Sequence, residues 1–144
     1  MAKDYDPQMH SAEHILNQTM VRMFNRGRCF TSHLESKKSR LYFHFDRDLT
    51  SQEVQEIESR VNQIIQSDLE VKEEFLSREE AGKQFNLARL PEQAGETVRI
   101  IRIGDYDACP CIGAHVRRTG EIGSFRITTT SYENGVLKVR FRLS

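Results

Sequence analysis

The stretch Ile122-Gly-Ser-Phe-Arg-Ile-Thr-Thr-Thr-Ser131, Tyr132-Glu-Asn-Gly135, Val136-Leu-Lys-Val-Arg-Phe-Arg-Leu143 decides the fold class. Asn134-Gly135 between two apolar-rich runs is a hairpin signal, because both residues tolerate the positive φ that a tight turn demands. Leu137, Val139, Phe141 and Leu143 alternate with Lys138, Arg140 and Arg142, which is the period of a strand with one core face and one positive face. The pattern therefore predicts antiparallel strands over about 122–131 and 136–143. Working back along the chain, 96–103 and 70–76 read as strands, and 28–35 with 40–46 as a strand pair around Ser36–Ser39. In the latter pair Leu41, Phe43 and Phe45 point one way, and Tyr42 and His44 the other.

Two long helices complete the pattern. Asp6-Pro7 is a helix start, with Asp at the cap and Pro in the first turn, and the helix is expected to run to Asn25 and stop at Gly27. Thr50-Ser-Gln-Glu53 is a capping box ahead of the stripe Val54, Ile57, Val61, Ile64 and Ile65. A second box, Ser77-Arg-Glu-Glu80, opens a short helix. The sum is an α+β chain, a mostly antiparallel sheet packed around two long helices, forming one domain over residues 1–144.

Lys plus Arg and Asp plus Glu both number 21, so the protein as a whole is not drawn to polyanions and nucleic-acid contact requires a local patch. Three cysteines, two of them in Cys109-Pro-Cys111, do not form a disulfide framework and fit reduced thiols in the cytoplasm. The polar N-terminus and the absence of a long apolar run lead us to expect neither a signal peptide nor a membrane span.

The chemistry lies in His10-Ser-Ala-Glu-His14 and Cys111-Ile-Gly-Ala-His115. Residues four apart on a helix are neighbours, so His10 and His14 share a side. That side, with Asn17 and Val21, lies nearly opposite the stripe Met9, Ala12, Ile15, Leu16, Met20 and Met23, which makes the histidines solvent-facing or site-facing. Gly113 lets a turn or short helix form between Cys111 and His115. Three imidazoles and a thiolate are a donor set for Zn²⁺. The first motif also fits H-x-x-E-H peptidases, with Glu13 as general base, but that reading leaves Cys111 and His115 unused. Cys109 competes with Cys111 as the ligand, Cys29 is expected to be structural, and His33 and His44 to lie on the surface. Arg117, Arg118 and Arg126 follow the second motif and can hold phosphates, unless they belong to an ordinary charged face.

H-x-x-x-H followed about a hundred residues later by C-x-x-x-H resembles the editing domain of alanyl-tRNA synthetases, the second additional domain of threonyl-tRNA synthetases. Ile57-Glu-Ser-Arg-Val-Asn62, Arg78-Glu-Glu-Ala81, Asp105-Tyr-Asp107 and His115-Val-Arg-Arg-Thr-Gly-Glu-Ile-Gly123 extend the resemblance. With His10 so near the start and no ATP-binding signature, the chain is similar to the small free-standing AlaX-type editing proteins. The resemblance implies hydrolysis of the ester in mischarged tRNA, chiefly seryl-tRNA(Ala) and possibly its glycyl counterpart, with Zn²⁺ on His10, His14, Cys111 and His115. It also implies a substrate-reading hydroxyl at Thr31 or its neighbour Ser32; Glu13, one turn from His10, and Arg117 and Arg118, just after the second motif, are expected near the site from their spacing alone. Ile112 and Ala114 stand where many members carry a glycine and a threonine. A tRNA- or protein-binding module with a structural zinc, and a metal hydrolase of another acyl ester, are the competing readings.

Overall fold

Asp6 caps the first helix, α1 (Pro7–Phe24), by accepting a hydrogen bond from the Met9 N–H at 3.1 Å. The computed structural model describes residues 6–85 and 97–144. Asn25 at φ 55° and Gly27 at φ 85° turn the chain out of α1, since left-handed geometry cannot propagate a right-handed helix. Then follow β1 (Thr31–Leu34), β2 (Lys38–His44), α2 (Ser51–Gln66), β3 (Val71–Ser77), α3 (Arg78–Gln84), β4 (Thr97–Ile103), β5 (Asp107–Pro110), a 3₁₀ turn at Thr119–Glu121, β6 (Phe125–Glu133) and β7 (Val136–Leu143). The capping boxes predicted from sequence stand at the starts they mark. Thr50 and Glu53 bond reciprocally at α2, and Ser77 accepts from the Glu80 N–H at α3.

Among the described residues the fold is α+β with three helices, and the strands form two antiparallel sheets rather than the one expected. One sheet runs β1-β2-β7-β6 and the other β3-β4-β5. The strand expected to begin at 122 begins at Phe125, because Ile122 closes the 3₁₀ turn. The residue-96 start expected for β4 lies outside the described residues. Strand β5 replaces part of the expected cysteine-rich loop. It has no alternating apolar pattern and holds Pro110, which an edge strand tolerates and a central one does not.

One face of the four-stranded sheet supplies Leu41, Phe43, Leu137, Val139 and Phe141 to the main core. Opposite lie Met9, Ile15, Leu16 and Met20 of α1 and Ile57, Val61 and Ile65 of α2. The three-stranded sheet has a smaller core of its own around Ala81, Val98 and Ile100. Asn62 ties α2 to β6: its amide donates to the Phe125 carbonyl and accepts from the Phe125 N–H, both at 2.9 Å. Thr119, fully buried, accepts from the Leu69 N–H and donates to the Ile64 carbonyl, pinning the segment after the second motif to the end of α2. No helix among the described residues is long and apolar enough to cross a membrane.

Asn62→Ala strands both backbone groups of Phe125, so it is expected to lower unfolding free energy by about 1–3 kcal/mol. A urea midpoint unchanged from wild type would rule out this clip.

Candidate metal centre

Residues Met9 to Asn17 of α1 are buried on every side, and this differs from the half-solvated helix that an apolar stripe implies. The polar side is covered by the segment from Asp107 to Val116, which β4 and β5 carry across the helix. His10 and His14 are thereby 4% and 2% exposed and face a site instead of water. His10, His14, Cys111 and His115 each offer one donor atom, and these four atoms lie within 4.8 Å of one another. The rings of His10 and His115 stack at 4.0 Å, and His14 stands edge-on to both. The Cys111 Sγ is 3.1 Å from the His115 Nε2. Cys111 to His115 is an irregular turn with no helix, and Arg99 of β4 holds it by donating to the Gly113 carbonyl at 2.7 Å.

Two of the outer ring nitrogens are already hydrogen-bonded. His10 Nδ1 donates to the Ala114 carbonyl at 3.1 Å, which leaves its Nε2 as the bare donor. His115 Nδ1 lies 2.9 Å from the Ser11 hydroxyl, which also accepts from the Val116 N–H. His14 Nδ1 faces the Asp107 carboxylate at 3.4 Å, long for a hydrogen bond but within ion-pair range. Asp107 has no side-chain exposure and receives Arg28 at 2.7 Å. An Arg28–Asp107–His14 relay of this kind fixes ring orientation and raises ligand basicity in metal sites.

Electrostatics favour a cation. Burial, and then the neighbouring His14, lower the His10 pKa to about 4. Burial does the same more strongly to His115, so both rings are neutral lone-pair donors at pH 7. Burial, with Cys109 nearby, pushes the Cys111 thiol up to about 12. Burial opposes ionisation of Asp107, yet the facing His14 ring and the Arg28 charge outweigh it and hold the carboxyl below its ordinary range. Burial likewise opposes the Arg28 charge, and Asp107 more than compensates. Three nitrogens and one sulfur, on two buried and two half-buried residues, fit Zn²⁺ by donor chemistry.

The other sequence-nominated residues are spread more widely. Glu13 is buried on α1 and makes no hydrogen bond or ion pair among the described residues. Thr31 is exposed at the start of β1 opposite Tyr42, and Ser32 is half-buried opposite Leu41. Arg117 is exposed, whereas the Arg118 guanidinium grips Asp68 through its side chain at 3.0 Å and its carbonyl at 2.6 Å. Cys109 is half-buried on β5, two residues from the cluster's thiol. Cys29 is buried, its N–H bonded to Asn17, and His33 and His44 are exposed. Asp107, Arg28, Ser11 and Arg99 carry the geometry but were not nominated from sequence. Of the four, Ser11 lies inside the His10-Ser-Ala-Glu-His14 motif and Asp107 inside the Asp105-Tyr-Asp107 string, while Arg28 and Arg99 carry no sequence signal.

Zinc binding must displace one proton from Cys111, so apparent affinity should rise with pH, about tenfold per unit between pH 7 and 9. Asp107→Asn removes the charge behind His14 and should weaken binding about 10–100-fold across that range. Competition with a chromogenic chelator measures both. A pH-independent affinity would remove the thiolate from the donor set.

Two comparisons bear on this geometry. Residues 98–142 match the family described as the threonyl and alanyl tRNA synthetase second additional domain. The chain is 39% identical over 123 residues to the alanine–tRNA ligase of Coxiella burnetii, covering 85% of this chain and 14% of the ligase. It is 36% identical over 129 residues to that of Rickettsia massiliae, with the same coverages. The chain thus spans about 14% of the length of the curated relatives it matches. The chain is thus similar to a short stretch of the alanine–tRNA ligases, and its residues 98–142 are similar to the second additional domain of the threonyl and alanyl tRNA synthetases.

Proposed function

We propose that residues 1–144 form a single cytoplasmic editing domain that hydrolyses mischarged tRNA in trans, with seryl-tRNA(Ala) as first substrate and glycyl-tRNA(Ala) as second. The carrying observation is the cluster of buried His10 and His14 with half-buried Cys111 and His115, in a chain similar to part of the alanine–tRNA ligases. Ester hydrolysis requires no ATP, and a labile ester needs chiefly to be held and presented to a water. Zn²⁺ held by the four donors would supply Lewis acidity toward the ester carbonyl, the attacking water or the amino group.

The remaining steps belong to the chain's own groups. Glu13 lies one residue from His14, and its carboxylate is electrostatically coupled to His10, Arg28 and Cys111. With no partner among the described residues, it is the group assigned to take the proton from water. Water oxygen bonds to the ester carbon, the bond to the ribose oxygen breaks, and the proton returns to that oxygen. Serine and tRNA with a free terminal hydroxyl are the products. Arg117, exposed and without an ion pair among the described residues, is assigned to a phosphate near the 3′ end. Arg118 can join it only by leaving Asp68. Thr31 and Ser32, at the first strand, are assigned to read the amino-acid side chain.

One observation favours a second reading. Four protein donors close a tetrahedron, which is the form of a structural zinc, and the chain would then bind tRNA without turnover.

Purified protein incubated with seryl-tRNA(Ala) and alanyl-tRNA(Ala) separates the two readings. Loss of serine alone is expected, falling at least about a hundredfold in His10→Ala/His14→Ala. No loss above the uncatalysed rate, with tRNA still bound, would favour the structural zinc.

A further inference from the structure

The zero net charge conceals a segregated one. On the solvent face of the four-stranded sheet, register places Lys38 opposite Arg142, Arg40 opposite Arg140, and Arg126 opposite Arg142. Lys138 continues the row opposite Tyr42 and Ser131. These residues alternate with the core residues Leu41, Val139 and Phe141, so all six charges share the outer face. None of them forms an ion pair among the described residues; the Arg40 Nε donates to the Tyr42 hydroxyl at 2.8 Å. Like charges directly opposite one another destabilise a sheet. Three such pairs left uncompensated, in a chain with 21 acidic residues to spend elsewhere, are a local conflict of the kind found at binding surfaces.

An aromatic group adjoins this ladder. Phe30, 38% exposed, stacks on His44 at 4.1 Å and leans on Tyr42 at 6.4 Å. Beside Tyr42 and Lys138 lies a shallow depression of about 230 Å³, also lined by Ser131, Glu133, Asn134 and Val136. Cations in a row with aromatic faces at one end suit a phosphate backbone carrying unstacked bases. The same end leads to the metal centre: Phe30 is two residues from Arg28, which holds Asp107 behind His14. Two residues span at most about 7 Å.

We propose that this outer face docks the phosphate backbone of tRNA and that the Phe30 edge leads its 3′ end round β1 toward the metal centre. The identification of the RNA as tRNA rests on the deacylase reading; the surface itself rests on the charge ladder.

The test is tRNA binding by fluorescence anisotropy across a salt series, run beside the seryl-tRNA(Ala) assay. Lys138→Ala/Arg140→Ala/Arg142→Ala should bind at least about tenfold more weakly, with a salt slope shallower by about two to three. It should melt no lower than wild type, because the substitutions relieve repulsion. Arg140→Glu, which gains an opposite charge in Arg40, gives a second folded variant with the same expected loss. Arg60→Ala/Lys72→Ala, which removes two ion-paired cations from α2 and β3, should stay within about twofold of wild type. If wild type binds tRNA in this ladder-dependent way but hydrolyses nothing, the docking surface stands and the deacylase falls. If wild type hydrolyses seryl-tRNA(Ala) while ladder variants keep full affinity and slope, the docking surface is overturned. Binding to phosphatidylserine vesicles but not to tRNA would also overturn it.

Discussion

Everything in this molecule hangs on the contact between the first half of α1 and the segment carrying Cys111 and His115. Ser11 accepts from the Val116 N–H and meets the His115 ring, while His10 donates to the Ala114 carbonyl, across 104 or 105 residues of chain. Bringing these ends together costs loop entropy, and burying two imidazoles and a carboxylate, with a third imidazole and a thiol half-buried, costs solvation. The chain meets those costs with hydrogen bonds to the outer ring nitrogens and leaves the inner donor atoms facing one another. A purely structural core would put leucines there. Stability has been given up for a set of lone pairs aimed at one point.

The two sheets divide the labour. The four-stranded sheet and α2 bury the aliphatic core that holds α1 in place. The three-stranded sheet is the arm that carries Asp107, Cys111 and, through Arg99, the turn between Cys111 and His115. Because β5 is short and at an edge, its position depends on β4, so the ion pair from Arg99 to Glu73 of β3 at 2.8 Å stiffens the site from two strands away. Charge is divided in the same way. A neutral total hides an outer sheet face whose six cations form no ion pair among the described residues, and carboxylates paired with arginines elsewhere, as at Arg47–Glu53 and Arg102–Glu74.

Much of this was legible before the fold was known. Local signals held where local physics decides: the Asp6 cap, the two capping boxes, the Asn134-Gly135 turn and the alternation in β7 all lie where their chemistry puts them. The proximity of His10, His14, Cys111 and His115 was legible because pairs four apart name a site even when its halves are a hundred residues distant. Strand β5 was not legible, because Asp107-Ala-Cys-Pro110 has neither β-branched residues nor alternation and is a strand only by pairing with β4. The division into two sheets was not legible either, since strand patterns specify faces and not neighbours. The burial of the polar side of α1 escaped for a similar reason: what covers a helix is set by tertiary packing. Asp107 and Arg28 escaped because second-layer partners follow no spacing rule.

The central claim is that folding assembles one nitrogen-rich, single-thiolate metal centre. Zinc-edge X-ray absorption on the purified, zinc-loaded protein reads that directly. The account predicts one zinc per chain with nitrogen scatterers near 2.0 Å and a single sulfur near 2.3 Å, the sulfur being lost in Cys111→Ser. Substoichiometric metal, or a shell of oxygens with no sulfur, would contradict it.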